Sequence, residues 1–254
     1  MSKLITFIGN GNMALAIAMG LKEKYEIEVV GRNAENLDTF EKALGLKISK
    51  HSLQGFDITN KTIIFAVKPQ NLDEVSAQLF GKAEALYSVL AGTTLLRLHD
   101  TIPSKAYVRA MPNMAAAYQK SMTTLTGDSS LQTQAKEIFS SIGKAHWLGS
   151  EKEIDIATAL AGSGPAYLAL IAEALTDGAV NQGLKRPDAI AIMRGLFDGF
   201  ASLIQEQHPA LIKDGVMSPG GTTAAGYCAL ENAGVRDGCI QAIAKANERA
   251  KALS

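Results

Sequence analysis

The spacing of hydrophobic residues along the chain changes near residue 150. Before this point, short apolar runs alternate with amphipathic stretches, and the run Thr62–Val67 has the character of a parallel strand covered on both faces. The predicted strands are Leu4–Ile8, Ile27–Val30, Thr62–Val67, Tyr87–Leu90, Ala106–Met111, Met122–Thr126 and His146–Leu148, and the predicted helices between them are Met13–Lys22 and Glu35–Leu44. This alternation predicts a doubly wound α/β sheet with right-handed crossovers over residues 1–150.

From Glu151 onward the strand pattern stops and apolar residues recur at helical spacing. The predicted helices are Ala157–Leu160, Ala166–Gln182, Asp188–Gln207, Ala224–Asn232 and Val235–Leu253. The segment Tyr167–Ala172 is apolar on every side, so its helix should be buried all round. A domain formed by residues 151–254 hardly needs such a helix unless another subunit covers it. We therefore expect an all-helical dimerisation domain and a homodimer.

Composition narrows the class of protein. The chain has 254 residues, of which 47% are hydrophobic and 20% charged, and its 25 basic and 25 acidic residues give no net charge. The absence of a basic block argues against a nucleic-acid partner and favours a small-molecule partner. The first apolar run is too short for a secretory signal or a membrane span. Cys228 and Cys239 lie outside any metal-binding spacing, so we expect buried, reduced thiols, no metal site and a cytoplasmic enzyme.

A glycine-rich turn follows the first predicted strand and opens the first helix. It reads Gly9-Asn10-Gly11-Asn12-Met13-Ala14. Gly9 permits a tight turn, Gly11 lets the backbone approach a pyrophosphate, and Ala14 still allows close packing of helix on strand. The helix N-terminus offers free amides and a positive dipole end to the phosphates. In this strand–turn–helix context the pattern predicts a bound dinucleotide; the alternative is a turn without a ligand.

The end of the second predicted strand bears on which dinucleotide binds. Sites that prefer NAD usually carry a carboxylate there for the ribose 2′-hydroxyl, whereas this chain reads Val30-Gly31-Arg32. A guanidinium suits the negative 2′-phosphate of NADPH. We therefore expect NADPH to be preferred, with NADH as a possible substitute; the alternative is that Arg32 is a solvated surface residue.

Two further strand ends should face the cofactor, because ligands of open α/β sheets bind beyond the carboxyl ends of the strands. In Ala66-Val67-Lys68-Pro69-Gln70, Lys68 could meet phosphate or ribose and Pro69 stiffens the loop. The competing interpretation is a simple strand–helix connector. In Ala91-Gly92-Thr93 the small residues leave room for a nicotinamide ring.

Two motifs of the second half are too particular to serve packing alone. Ala161-Gly162-Ser163-Gly164-Pro165-Ala166-Tyr167 reads as a small-residue loop that enters the buried helix, and Ser218-Pro219-Gly220-Gly221-Thr222-Thr223 leads into another helix. The second motif offers two glycines, adjacent hydroxyls and several amide donors at a helix N-terminus. It is a suitable place for a carboxylate.

Taken in order along the chain, these segments resemble the pyrroline-5-carboxylate reductases. The resemblance includes Arg109-Ala110-Met111-Pro112-Asn113 and spans nearly the whole chain, and Ser218–Thr223 is its most specific part. It implies an N-terminal Rossmann domain over 1–150 and a helical domain over 151–254 that interlocks in a dimer, from which larger assemblies can be built. It also implies NAD(P)H-dependent reduction of 1-pyrroline-5-carboxylate to L-proline, the last step of proline biosynthesis.

By the same resemblance, Gly221, Thr222 and Thr223 would hold the substrate carboxylate. The Thr223 hydroxyl would reach the ring nitrogen as the catalytic contact, and Glu151 would lie near the substrate. The cofactor would contact Gly9–Met13, Arg32, Ala66–Pro69, Ala91 and Gly92. A protonated iminium is already electrophilic, so the main task of the protein is to align the two reactants.

Two other functions compete with this interpretation. A β-hydroxyacid dehydrogenase also joins a Rossmann domain to helices, but it would normally carry a lysine on the helix between the domains, and Ala166–Gln182 contains none. A non-catalytic NADP sensor would bind the nucleotide without turnover, and the Ser218–Thr223 segment would then lack a purpose.

Overall fold

The computed structural model describes residues 3–253 and contains two compact units. The first consists of the residues up to Ser163 together with those from Lys245 on, and the second is Gly164–Ala244. The first unit contains the glycine-rich turn, Glu151 and the other predicted cofactor residues, namely Arg32, Ala66–Pro69, Ala91 and Gly92. The Ser218–Thr223 motif belongs to the second.

An eight-stranded sheet forms the centre of the first unit. The strands of this unit are β1 Lys3–Ile8, β2 Tyr25–Gly31, β3 Ser49–Ser52, β4 Phe56–Asp57, β5 Thr62–Phe65, β6 Leu79–Phe80, β7 Ala85–Ser88, β8 Tyr107–Met111, β9 Ser121–Gly127 and β10 Gly143–Trp147. Their order in the large sheet is β10-β9-β8-β7-β5-β1-β2-β3, while β4 and β6 pair separately. All neighbours in the large sheet are parallel except β8 and β9, which run antiparallel. The doubly wound sheet is confirmed, with this one antiparallel pair that the pattern did not show.

Helices cover both faces of this sheet. They are α1 Asn12–Leu21, α2 Ala34–Leu44, α3 Leu72–Ser76, α4 Leu95–Thr101, α5 Gln132–Ser140 and α6 Glu151–Ala157. Successive residues of a strand alternate between the faces, so Phe7 belongs to one apolar cluster and Ile8 to the other. The first cluster contains the buried faces of α1, α2 and α5, and the second those of α3 and α4.

A buried carboxylate ties four strand regions together on the second face. The side chain of Glu28 on β2 is 6% exposed and accepts hydrogen bonds from Thr6 on β1 and from Lys61 just before β5. His51 on β3 lies 3.0 Å from its other oxygen. Although burial alone would raise the pKa of Glu28, the Lys61 and Thr6 hydrogen bonds hold this pKa below its usual value. An ionised carboxylate thus fixes the edge of the sheet.

The second unit is helical. Its helices are α7 Gly164–Asn181, α8 Arg186–Glu206, α9 Pro209–Val216 and α10 Thr222–Asn232; α11 Val235–Leu253 begins in this unit. The predicted bounds of α11 are confirmed, whereas α9 was not predicted. The expected loop at Ala161–Tyr167 was wrong: a π-helical turn covers Thr158–Gly162, and α7 begins at Gly164. Pro165 lies near the start of α7, where its missing amide hydrogen costs nothing.

The apolar surface of α7 is largely exposed in the single chain. Leu168 and Leu170 are 57% and 64% exposed, and Thr176 is its one buried residue. The helical run Glu151–Asn181 is long and apolar enough to span a membrane by length and composition alone, and 11% of its most apolar window is buried. The single chain therefore does not bury the apolar surface of α7. Cys228 and Cys239 are also exposed in the single chain, contrary to the expected buried thiols.

Candidate functional site

The glycine-rich turn brings three strand ends together. The Gly9 amide donates to the Val30 carbonyl at 2.9 Å, and the Ala66 amide donates to the Ile8 carbonyl at 2.8 Å. Gly9 has φ +107°, and a Cβ on it would lie 2.6 Å from the Ala66 carbonyl oxygen. Only glycine therefore fits here, both for its backbone conformation and for the contact with the strand end.

A cleft of about 240 Å³ opens above these strand ends. Seven of the residues predicted to bind the cofactor line it, namely Gly9, Asn10, Gly11, Arg32, Ala66, Val67 and Lys68. Leu53, Asn71 and Val75 also line it and were not predicted. They come from the segment after β3 and from the region of α3, whose short or polar sequences gave no strong signal. Asn12 and Met13 line a neighbouring groove with Met114, and Pro69, Ala91 and Gly92 do not line the cleft.

The start of α1 is suited to a dinucleotide pyrophosphate. Gly11 is the N-cap and no side chain caps the helix, so its first-turn amides remain available to an anion. A Cβ placed on Gly11 would meet no atom within 4 Å, so the space above the turn is open to a ligand. This open cradle beside a helix N-terminus fits the predicted nucleotide.

Arg32 lines one side of the cleft, where β2 ends. Its Nη1 donates to Glu74 Oε1 at 2.8 Å, and both side chains are about half exposed, at 53% and 56%. An exposed ion pair of this kind contributes only about 0–1 kcal/mol. A 2′-phosphate could therefore displace Glu74 at small cost. The predicted role of Arg32 is compatible with this geometry, and Glu74 is its unpredicted competitor.

Three neighbouring charged residues at the start of α6 have separate roles. The Glu153 carboxylate accepts a hydrogen bond from the Gly149 amide, and Ser150 Oγ accepts one from the Glu153 amide, which caps the helix. Lys152 is exposed. Glu151 Oε1 instead accepts from the Leu95 amide at the start of α4 and from Arg109 Nη1, both at 2.8 Å.

Arg109 is the most deeply buried charge near the carboxyl ends of the strands. Its side chain is 1% exposed, and its second guanidinium nitrogen donates to Asp155 Oδ1 at 2.8 Å. A charged residue inside the apolar strand β8 requires such partners, because an unpaired buried charge is strongly destabilising. The sequence therefore contained a signal for a buried ion pair, but it did not identify Asp155.

The π-helical turn is held from β8 as well. Asn113 follows this strand, and its Nδ2 donates to the Ala161 carbonyl at 2.9 Å. Isolated π turns leave backbone carbonyls in need of other partners and often occur at functional sites. The Arg109–Asn113 motif therefore anchors α6 and the turn after it.

In the second unit, the Ser218–Thr223 segment forms a tight turn before α10. The Gly221 amide donates to the Ser218 carbonyl at 3.0 Å, and Gly220 has φ +70°. Gly221 is the N-cap of α10 and no side chain caps the helix, so Thr222 and Thr223 occupy its first turn with both residues exposed. The amides and hydroxyls of this turn are thus available to a carboxylate.

No group of three or more histidine, cysteine or acidic side chains within residues 3–253 has the geometry of a metal site. The described part of the chain instead offers an anion cradle, an exposed guanidinium and an uncapped helix start with two threonines.

Comparisons with known proteins agree with this arrangement. A family model described as pyrroline-5-carboxylate reductase dimerisation matches residues 151–253, and one described as NADP oxidoreductase, coenzyme F420-dependent, matches residues 4–92. A pyrroline-5-carboxylate reductase of Synechocystis sp. is 38% identical, over 100% of this chain and 99% of that protein.

Solved structures show the same similarity. A 1-pyrroline-5-carboxylate reductase from Streptococcus pyogenes is 33% identical, with a TM-score of 0.86 over 98% of both chains. A Plasmodium falciparum pyrroline carboxylate reductase with NADP bound is 26% identical, with a TM-score of 0.80 over 99% of this chain and 98% of that one.

Proposed function

This chain belongs to the pyrroline-5-carboxylate reductase family, and on this premise we propose that it reduces 1-pyrroline-5-carboxylate to L-proline with NAD(P)H. The observation that carries the proposal is the 38% identity over the whole length of a reductase of this name. The cradle at Gly9–Gly11 supplies the nucleotide site that such an enzyme requires. The reaction is the last step of proline biosynthesis.

The residues of the first unit bind and orient the nucleotide. Bound NAD(P)H supplies the hydride for the imine carbon. The first-turn amides of α1 hold the pyrophosphate, and Lys68 contributes positive charge to the cleft. The nucleotide also contacts residues outside the cleft. These are Pro69, Ala91 and Gly92, together with Asn12 and Met13 of the neighbouring groove.

The residues of the second unit hold the substrate. We assign the carboxylate to the turn at Gly221 and Thr222, where an uncapped helix N-terminus favours an anion. The Thr223 hydroxyl contacts the ring nitrogen and aligns the imine. Because the iminium is electrophilic by itself, the protein needs only to align it with the nicotinamide.

The chain forms a homo-oligomer through its helical part, because a dimerisation family model matches residues 151–253. We propose residues 1–150 as the NADP-binding domain, residues 151–254 as the dimerisation and substrate domain, and a homodimer as the smallest assembly. The exposed apolar surface of α7 supports this, because a second copy would cover it and no membrane is then required. We place the enzyme in the cytoplasm.

The decisive experiment follows NADPH absorbance with purified protein and 1-pyrroline-5-carboxylate. We expect oxidation of one NADPH per L-proline formed, with both products quantified. A panel of cyclic imines that lack the carboxylate serves as the control and should react far more slowly. Nucleotide binding without turnover on any of these imines would contradict the proposal and indicate a sensor.

Replacement of Arg32 tests the preference for NADPH. Arg32→Ala should raise the KM for NADPH roughly tenfold or more and leave that for NADH nearly unchanged, because a charge-assisted contact of about 1.5–3 kcal/mol is lost only with the phosphate. Glu74→Gln is the matched control: it removes the competing partner of Arg32 and should keep or lower the KM for NADPH. Equal effects of Arg32→Ala on both cofactors would remove Arg32 from this role.

A further inference from the structure

Glu151 connects the start of α6 to the segment that follows β7. We propose that Glu151 is a positioning residue for hydride transfer, which acts through the Ala91–Thr94 segment and not by contact with the substrate. This inference rests on the proposed function and gives a role to the Arg109–Asn113 motif, which that function leaves unexplained.

The topology locates the Ala91–Thr94 segment beside the reactive half of the nucleotide. Strands β2, β1, β5 and β7 are consecutive neighbours in the sheet, and the cleft lies above the ends of β2, β1 and β5. A dinucleotide whose phosphates lie at the turn after β1 extends its two halves to either side along the strand ends. With Arg32 on the β2 side, the nicotinamide half points toward β5 and β7.

The hydrogen bonds of this segment show how it is held. Gly92 has φ +67° and Thr93 is 6% exposed, so the chain turns sharply and then enters α4. Thr94 Oγ1 accepts from the Arg97 amide within the same turn. The Leu95 amide donates to Glu151 Oε1 at 2.8 Å, across 56 positions of sequence. This bond joins the segment to α6.

Arg109 fixes the other side of Glu151. The guanidinium is 1% exposed and comes from β8, the strand paired with β7, and it donates to Glu151 Oε1 and to Asp155 Oδ1. The same Glu151 oxygen therefore serves both the Leu95 amide and Arg109. Since the oxygen must lie 2.8 Å from both donors, side-chain length at position 151 sets the place of the Leu95 amide.

Small displacements at this place should affect the chemical step. A misplacement of about 1 Å in an aligned reaction can cost on the order of 100-fold in rate. A residue that only positions the nucleotide changes kcat, whereas a residue that binds the imine changes its KM. Length and charge at position 151 can be separated by two substitutions.

Glu151→Gln keeps the length and one oxygen acceptor, and Glu151→Asp keeps the charge and shortens the side chain. If Glu151 acts by position, Glu151→Asp should lower kcat about 10- to 50-fold with the imine KM changed less than about threefold, and Glu151→Gln should retain most of the activity. The primary isotope effect with NADPH deuterated at C4 should rise in Glu151→Asp, and the peptide that contains Leu95 should exchange its amide hydrogens faster.

Opposite results would overturn the inference. A higher activity of Glu151→Asp than of Glu151→Gln, or a tenfold rise in the imine KM at unchanged kcat, would make the carboxylate charge a direct substrate contact. Unchanged kcat and exchange in both variants would remove Glu151 from any role in the reaction. Melting temperature and NADPH affinity show that each variant is folded.

Asp155→Asn is the matched control, because Asp155 contacts the same Arg109 and has no bond to the Leu95 segment. It should lower the melting temperature and leave kcat within about threefold of the parent enzyme. A loss of kcat equal to that of Glu151→Asp would contradict the inference. Failure of the proposed function would look different, since the parent enzyme itself would then not turn over the imine.

Discussion

Replacement of Thr223 by alanine should lower kcat/KM for the imine by roughly 10- to 1000-fold, since one well-placed hydrogen bond in a desolvated site contributes about 1.5–4 kcal/mol. The substitution removes the hydroxyl and the γ-methyl group and leaves the backbone of α10 unchanged. Affinity for NADPH should remain nearly intact, because the glycine-rich turn belongs to the other unit. Steady-state kinetics and a nucleotide titration on one preparation measure both quantities.

The structure removes the main alternative explanation of such a loss. A threonine at a helix start often acts as the N-cap, and its replacement then costs about 1 kcal/mol of stability. Here Gly221 is the N-cap and no side chain caps α10, so Thr223 lies inside the first turn. Alanine has the higher helix propensity there, and the melting temperature should stay constant or rise slightly.

Thr223→Ser and Thr223→Val complete this experiment. Serine restores the hydroxyl and should recover much of the activity, whereas valine keeps the shape without the hydroxyl and should behave like alanine. If Thr223→Ala has the turnover of the parent enzyme, the imine does not bind at this turn. A fall in NADPH affinity equal to the fall in kcat/KM would also contradict the assignment.

If α7 forms the proposed subunit interface, a charge on this helix should prevent the protein from folding and assembling. Leu170 is 64% exposed in the single chain, and at a site that stayed exposed Leu170→Glu would change stability by about 0.5 kcal/mol or less. In a symmetric dimer each copy would bury one unpaired carboxylate, and each such charge costs about 3–5 kcal/mol. We expect aggregated or unfolded protein, measured by light scattering and thermal unfolding.

Leu46→Glu provides the control for this prediction. Leu46 is 43% exposed and lies in the first unit, outside the range matched by the dimerisation family model. Its replacement should leave both the oligomeric state and the melting temperature unchanged. A stable, active monomer at micromolar concentration, from the parent enzyme or from Leu170→Glu, would show that α7 is not a subunit interface.

Much of the first unit was predictable from local pattern. Strand β1, the turn at Gly9–Gly11 and helix α1 follow one another within a few residues. The nucleotide-binding turn could therefore be predicted from a short stretch of sequence. The same is true of α11, whose apolar spacing predicted its bounds. Polar or very short elements such as β3 and α3 were missed, because their place depends on neighbours distant in sequence.

The sequence by itself determined the nucleotide turn, the helical second half and the family motifs, because each depends on residues close together in the chain. Only the tertiary structure decided which charges meet: Arg32 with Glu74, and Arg109 with Glu151 and Asp155. It also replaced the expected Ala161–Tyr167 loop by the end of a π turn and the first residues of α7, and it showed the apolar surface of α7 exposed in one chain. These features depend on contacts between residues dozens of positions apart or on a second chain. Such contacts produce no periodic pattern in the sequence from which they could be predicted.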